Sequence, residues 1–129
     1  HTSAAREFIR AYIRYNSYGY SNTQANLDAM LAFVLNGSPA FYDLRDTYTA
    51  VHANSTYQIL SEEIKIDDFI MYHPDCFSCR ADFSIKLQRY AQTREDSAAL
   101  RLYFVRRNGQ WQIAFLAFAY DKTDTPSVS

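Results

Sequence analysis

Both cysteines of the chain fall in one short stretch, "MYHPDCFSCRADF", with His73 just ahead of Cys76 and Cys79. Thiols at this spacing could serve redox chemistry, metal ligation or a disulfide. A redox pair works at a helix N-terminus that follows a strand, where the dipole lowers the thiol pKa. Here the residues after Cys79 alternate as a strand, which argues against that use. Structural zinc takes four ligands. His73, Cys76 and Cys79 supply three, and His52 would have to come from a distant segment. No metal and no cofactor are expected. A disulfide between Cys76 and Cys79 has a geometric condition, because residues three apart on a straight strand lie ~10 Å apart, beyond the ~7 Å limit for bridging. A bridge therefore needs a turn, and His73-Pro74-Asp75 carries a turn signal, with Pro setting φ and Asp bonding locally. A disulfide-closed turn and two free thiols both remain open, and an oxidising compartment would favour the bridge.

A second constellation is basic. Arg6, Arg10 and Arg14 recur at i, i+4 and i+8, with Arg101, Arg106 and Arg107 as further candidates for an acidic partner or lipid headgroups. Glu7, Glu62 and Glu63 balance them, and a net charge of -1 gives no global field toward an anion. The stripe is expected to be a solvated face. No basic-aromatic motif is present, so nucleic acid is not an expected partner. No apolar run approaches the ~20 residues that span a bilayer, so this chain is expected to carry no membrane span. The chain begins at His1, read as a form with an upstream segment removed, where any anchor or export signal would lie.

The elements that must position these groups follow from periodicity. At 129 residues, 48% hydrophobic and 21% charged, the chain suits one globular domain, expected over residues 1–120, with a flexible polar tail at 121–129. Ser3 can cap a helix with Phe8, Ile9, Tyr12 and Ile13 on one side. A second helix from about Thr23 carries Leu27, Met30, Leu31, Val34 and Leu35 at amphipathic spacing and closes at Asn36-Gly37. Ser38-Pro39 opens a third, with Phe41, Leu44, Tyr48 and Val51 as its apolar stripe. From Tyr57 the period changes to two. "YQILSEEIKIDDFIMY" places Leu60, Ile64, Ile66, Ile70 and Tyr72 on one face. Asp68 falls on that apolar parity, which predicts a bulge that turns it to water. "CRADFSIKLQRY" and "ALRLYFVRR" follow, Asn108-Gly109 is a hairpin turn, and "QWQIAFLAFAY", apolar on both faces, reads as a central strand. Helices grouped before an antiparallel meander predict an α+β domain, with three N-terminal helices on a strongly curved four-stranded antiparallel sheet. Strands well beyond the usual ~5–6 residues require the bend.

This order, ending in "RRNGQWQIAFLAFAY" with Trp111 and Ile113 in the last strand, resembles the nuclear transport factor 2-like superfamily, the cystatin-like cone fold. The resemblance covers about Ser3 to Tyr120. The family's short hairpin between the second and third helices is reduced to "NGSP", which suggests an abbreviated variant. Such variants resemble extracytoplasmic domains of membrane-anchored proteins in Gram-positive bacteria. They also resemble the periplasmic domain of a type IV secretion assembly factor, to which Tyr12, Tyr18 and Ser38-Pro39 compare.

The resemblance implies three kinds of role. Enzymes of the superfamily, such as ketosteroid isomerase, dehydratases and polyketide cyclases, use Asp, His and Tyr in the cone. The candidate catalytic groups here would be Asp68 and His52, with Tyr12, Tyr48 and Asp82 as further parts. A binding module would hold a small apolar or aromatic ligand between helices and sheet, lined by Tyr12, Tyr48, Phe83 and Phe115. Members frequently dimerise through the open sheet face, and Leu102, Phe104, Val105, Phe115, Leu116 and Phe118 offer apolar surface on both faces of the last two strands. The leading expectation is a non-enzymatic protein-interaction or ligand-binding domain of an exported or membrane-anchored bacterial protein. The alternatives are a cone-type enzyme and a structural subunit of a secretion or conjugation machine.

Overall fold

The computed structural model describes residues 2–16, 24–47 and 58–119. Three helices precede four strands: α1 (Thr2–Asn16), α2 (Gln24–Leu31), α3 (Pro39–Thr47), β1 (Gln58–His73), β2 (Cys76–Arg89), β3 (Gln92–Arg107) and β4 (Gln110–Phe118). The strands form one antiparallel sheet in chain order. The expected α+β architecture is thus present, and the helices pack on one face of the sheet. Tyr48, His52, Val51, Tyr18 and the tail at 121–129 lie outside the described residues.

The core forms where the apolar side of α1 meets alternate residues of β2 and β3. Phe8, Ile9, Tyr12 and Ile13 are buried as their spacing predicts, and Ala5, Ala11 and Tyr15 join them. Opposite stand Phe77, Cys79, Ala81, Phe83, Ile85 and Leu87 of β2, with Leu100, Leu102 and Phe104 of β3. Each fully buried Leu, Ile or Phe contributes roughly 1.5–3 kcal/mol of apolar transfer, so this layer dominates the favourable side of folding. Arg6 of the expected basic stripe is only partly solvated. Its Nη1 donates to the Ile64 carbonyl at 3.0 Å and ties α1 to β1. Arg10 and Arg14 face solvent.

Three sequence expectations change. First, α1 already includes Thr2, so Ser3 sits inside its first turn and is not the cap. Second, α2 ends at Leu31 although the apolar repeat runs on to Leu35. The competing partner is β4: Ile113 N donates to the Phe33 carbonyl at 2.9 Å, and Leu35 N donates to the Ile113 carbonyl at 2.8 Å. Val34 makes an isolated parallel bridge there, so tertiary hydrogen bonds take these residues from the helix. Third, β4 is the edge of the sheet and not its centre. It is apolar on both faces because the helices cover one and an aromatic cluster occupies the other. Ser38 does cap α3, accepting from Phe41 N at 3.2 Å, with Pro39 at the first helical position.

The bend comes from extra residues. Register shifts fall between Ile59 and Ser61, Asp67 and Ile70, and Met71 and His73 on β1, and beside Tyr103–Phe104 where β4 inserts Ala114. Each shift exchanges the faces beyond it, because side chains alternate with period two. Ile64 and Ile66 therefore face the helices, whereas Ile70 and Tyr72 lie on the outer face, and the single apolar face expected for β1 is split. On β4, Ile113 points inward, and beyond the bulge Leu116 takes that side while Phe115 turns outward. Asn108 and Gly109 adopt φ of 53° and 77°, the left-handed pair a tight hairpin turn requires.

Candidate functional site

The stretch that holds the cysteines is the β1–β2 hairpin. Its turn is Pro74-Asp75, ahead of Cys76, with Asp75 N donating to His73 Nδ1 at 3.0 Å. Arg106 of β3 clasps the tip, donating from its backbone to the Asp75 carbonyl and from Nε to Asp75 Oδ1, both at 2.8 Å. Because the turn precedes both cysteines, Cys76 and Cys79 lie on a regular strand with their side chains on opposite faces. Both are free thiols in this structure, one of the two states their spacing left open. His73, Cys76 and Cys79 do not converge, and among the described residues no group of His, Cys, Asp and Glu is arranged to hold a metal. Cys79 is fully buried beside Leu102, and desolvation pushes its thiol up to about 11, with the nearby Arg101 charge opposing the rise.

The candidate catalytic Asp68 does sit in a bulge, with φ of 54°, and its side chain faces solvent. Aspartate tolerates this left-handed conformation better than most residues because its short polar side chain can bond locally. Asp68 is engaged by Arg101, which donates from Nη1 to Asp68 Oδ2 and from Nη2 to its carbonyl, each at 2.8 Å. The same guanidinium donates to Ser78 Oγ from Nε at 3.1 Å and from Nη2 at 2.8 Å. With both acceptor positions of Ser78 Oγ taken, its own proton is directed to Tyr72 Oη, 2.9 Å away. One arginine from β3 thereby joins the β1 bulge to the buried hydroxyl of β2. Asp82, on the outer face, is held by Arg80 through contacts of 3.0–3.2 Å.

The expected ligand lining divides between the two faces. Tyr12 and Phe83 meet edge to face at 5.7 Å within the buried core. Phe115 lies on the opposite side of the sheet and is 46% exposed. The bulge at Ala114 causes this: strict alternation from Trp111 and Ile113 would have turned Phe115 inward. Phe115 is thereby separated from Tyr12 and Phe83 by the sheet, and Tyr48 lies outside the described residues.

The bulges instead assemble an aromatic ladder on the outer face. Tyr72 of β1 stacks on Tyr103 of β3 at 6.2 Å, across the small Ser78 of β2. Tyr103 meets Phe115 of β4 edge to face at 5.5 Å. Ile70 and Tyr72 are exposed beside it, and Phe69 and Met71 extend the exposed apolar surface around the β1 edge. Sequence alternation could not find this cluster, because the parities of Tyr72 and Phe115 each depend on a bulge. The helix side near the hairpin is packed: Phe77 stacks on Phe104 and meets Trp111 edge to face, each at 4.9 Å. No helix is long and apolar enough to cross a membrane among the described residues.

No protein-family sequence pattern and no curated protein sequence matches the chain. Solved structures do. A ketosteroid isomerase-like protein from Erwinia carotovora atroseptica aligns with a TM-score of 0.55 at 16% identity, over 93% of this chain and 94% of that one. A nuclear transport factor 2-like protein involved in plasmid conjugation aligns with a TM-score of 0.57 at 12% identity, over 92% of this chain and 47% of that one. A nuclear transport factor 2-like protein of unknown function from Prochlorococcus aligns with a TM-score of 0.50 at 13% identity, over 92% and 96% of the two chains. At these identities the likeness speaks for architecture alone. The chain has the nuclear transport factor 2-like cone fold, with an aromatic ladder pinned by Arg101 on the outer face of its sheet.

Proposed function

We propose that this chain is a non-enzymatic protein-interaction domain that docks through the hairpin end of its outer sheet face. The observation that carries the reading is the Tyr72–Tyr103–Phe115 ladder, which runs across the sheet from β1 to β4 and is open to solvent. Tyrosine, phenylalanine, methionine and arginine are the residues enriched at protein interfaces, and a solvent-exposed aromatic cluster of this kind is normally covered by a partner. Arg101 holds the ladder's base in one arrangement, so little ordering cost would fall on binding. The partner we favour is a second copy of the chain, since one face can then cover its equivalent.

The enzyme alternative has less support. Asp68 spends its carboxylate on Arg101 at the outer surface, away from the helix-side interior. The reading of a subunit in a secretion or conjugation machine draws its support from the plasmid-conjugation protein that shares the fold.

Native mass spectrometry and sedimentation velocity of the wild type and of an Ile70→Lys/Phe115→Lys variant test the proposal. Association of the wild type that weakens at least ~30-fold in the variant, at an unchanged urea midpoint, is the expected result and corresponds to ~2 kcal/mol from hot-spot positions. A self-associating variant of equal affinity would place the interface elsewhere.

A further inference from the structure

The outer face also holds a depression of about 560 Å³, bordered by Glu63, Lys65, Ser84, Ser97, Ala99 and Ala119 with the Arg80–Asp82 pair. Cavities of roughly 300–1,000 Å³ are the usual size of small-molecule sites. Its far end at Ser84 lies six residues along β2 from Ser78 beneath the ladder, roughly 20 Å at strand rise, so its occupancy can be read separately from the docking surface.

Its charges are mostly spent. Arg80 Nε lies 3.0 Å from Asp82 Oδ2, and Lys65 Nζ is 3.4 Å from Asp67 Oδ2. The exception is Glu63. The register sets Glu63 directly opposite Ser84, and Ser84 directly opposite Ser97. Directly opposed Cβ atoms are ~5 Å apart, so the carboxylate and the two hydroxyls form one row across β1, β2 and β3. No described residue pairs with any of the three. Beside the row, Ala99 and Ala119 give an apolar floor fixed by the Ala119 N to Ala99 O bond at 2.8 Å.

We infer that this depression binds a primary alkylammonium ion. One uncompensated carboxylate matches one positive charge. The three N–H donors of an ammonium match a row of acceptors made by Glu63, Ser84 and Ser97. A short aliphatic body fits the alanine floor, where a larger side chain would close the space. An anion would meet Glu63 with the neighbouring cations already paired. A divalent metal would find one carboxylate where it needs several oxygen ligands.

The test is an amide NMR titration with n-butylammonium chloride, against sodium chloride at matched ionic strength. Saturable shifts confined to the amides of Glu63, Ser84, Ser97, Ala99 and Ala119 are expected, with butyrate and butanol producing none. Glu63→Gln should weaken binding at least about tenfold, the cost of a charged hydrogen bond. Glu62→Gln, one residue away on the opposite side of the strand, should leave it unchanged. Both positions are exposed, and unshifted amides elsewhere report that each variant is folded. Non-saturating shifts spread over the acidic surface, or equal binding by Glu63→Gln, would overturn the assignment.

Discussion

Replacing Arg101 tests whether one side chain fixes the bulge and the ladder together. Its side chain is 15% exposed and makes four hydrogen bonds, two to Ser78 Oγ and two to Asp68. The carboxylate it pairs with is 53% exposed, so that ion pair is worth only ~0–1 kcal/mol after solvent screening. The bonds to the buried Ser78 hydroxyl carry more, about 1.5–2 kcal/mol, because a charged donor serves a group with no access to water. Arg101→Met keeps most of the aliphatic packing and should therefore cost about 2 kcal/mol in urea denaturation. For a domain of this size that is a fall of about 8 °C in Tm. Asp68→Asn retains an acceptor and the left-handed preference and should cost less than ~1 kcal/mol. Asp68→Gly loses the ion pair but relieves the positive φ, and should come out near zero. Asp68→Ala loses the pair and keeps the strain, costing roughly 1–2 kcal/mol. The order Asn and Gly above Ala, with Arg101→Met the most harmful, is the signature. An Arg101→Met variant within ~0.5 kcal/mol of wild type, with Tyr103 ring signals unmoved, would refute the reasoning.

Other consequences concern separate parts of the molecule. Burial holds the Cys79 thiol up at about 11, against the ordinary 9.0 of an exposed chain, so the folded state keeps its proton longer than the unfolded state. The sign follows: this contribution is intact below pH 9 and is lost as pH rises from there toward 11, at up to ~1.4 kcal/mol per unit, and Cys79→Ala should remove that slope from stability measured against pH. With Cys76 half-buried and Cys79 fully buried, a thiol reagent at neutral pH should titrate one thiol rapidly and the second only at the rate of unfolding. Tyr90, at φ 56° in the two-residue turn between β2 and β3 and 84% exposed, should gain about 1 kcal/mol on Tyr90→Gly, read as a higher urea midpoint. Phe77→Ala should cost ~3–5 kcal/mol and shift the emission of the single tryptophan, Trp111, whose ring packs at 4.9 Å against Phe77.

The fold was legible in the sequence because its signals are local. The period change near Tyr57, the Ser38-Pro39 helix start and the Asn108-Gly109 turn each act through a few neighbouring residues. The Asp68 bulge was legible too, since an acid on an apolar parity has few other solutions. What stayed hidden depends on partners far along the chain. Val34 and Leu35 keep a helical repeat, yet Ile113 claims their backbone. The polar start of β3, "QTREDSA", shows no alternation because its own side chains stay mostly exposed, although it pairs with the end of β2. Phe115 sits in a strand apolar at both parities, so nothing in "QWQIAFLAF" marks Ala114 as the extra residue. The ladder needs the β1 and β4 bulges at once, and pairwise register is the information a single sequence lacks.

The measurement that bears most directly on the interface is site-specific photo-crosslinking at matched exposure. Phe115 on the outer face and Tyr42 on α3 are 46% and 47% exposed, and each can be replaced by a benzoylphenylalanine probe with little change in size. In cells that produce the protein, the account predicts one discrete protein adduct from position 115, a second copy or another polypeptide, and none from position 42. Adducts from position 42 alone, or from neither, would contradict the outer sheet face as the docking surface.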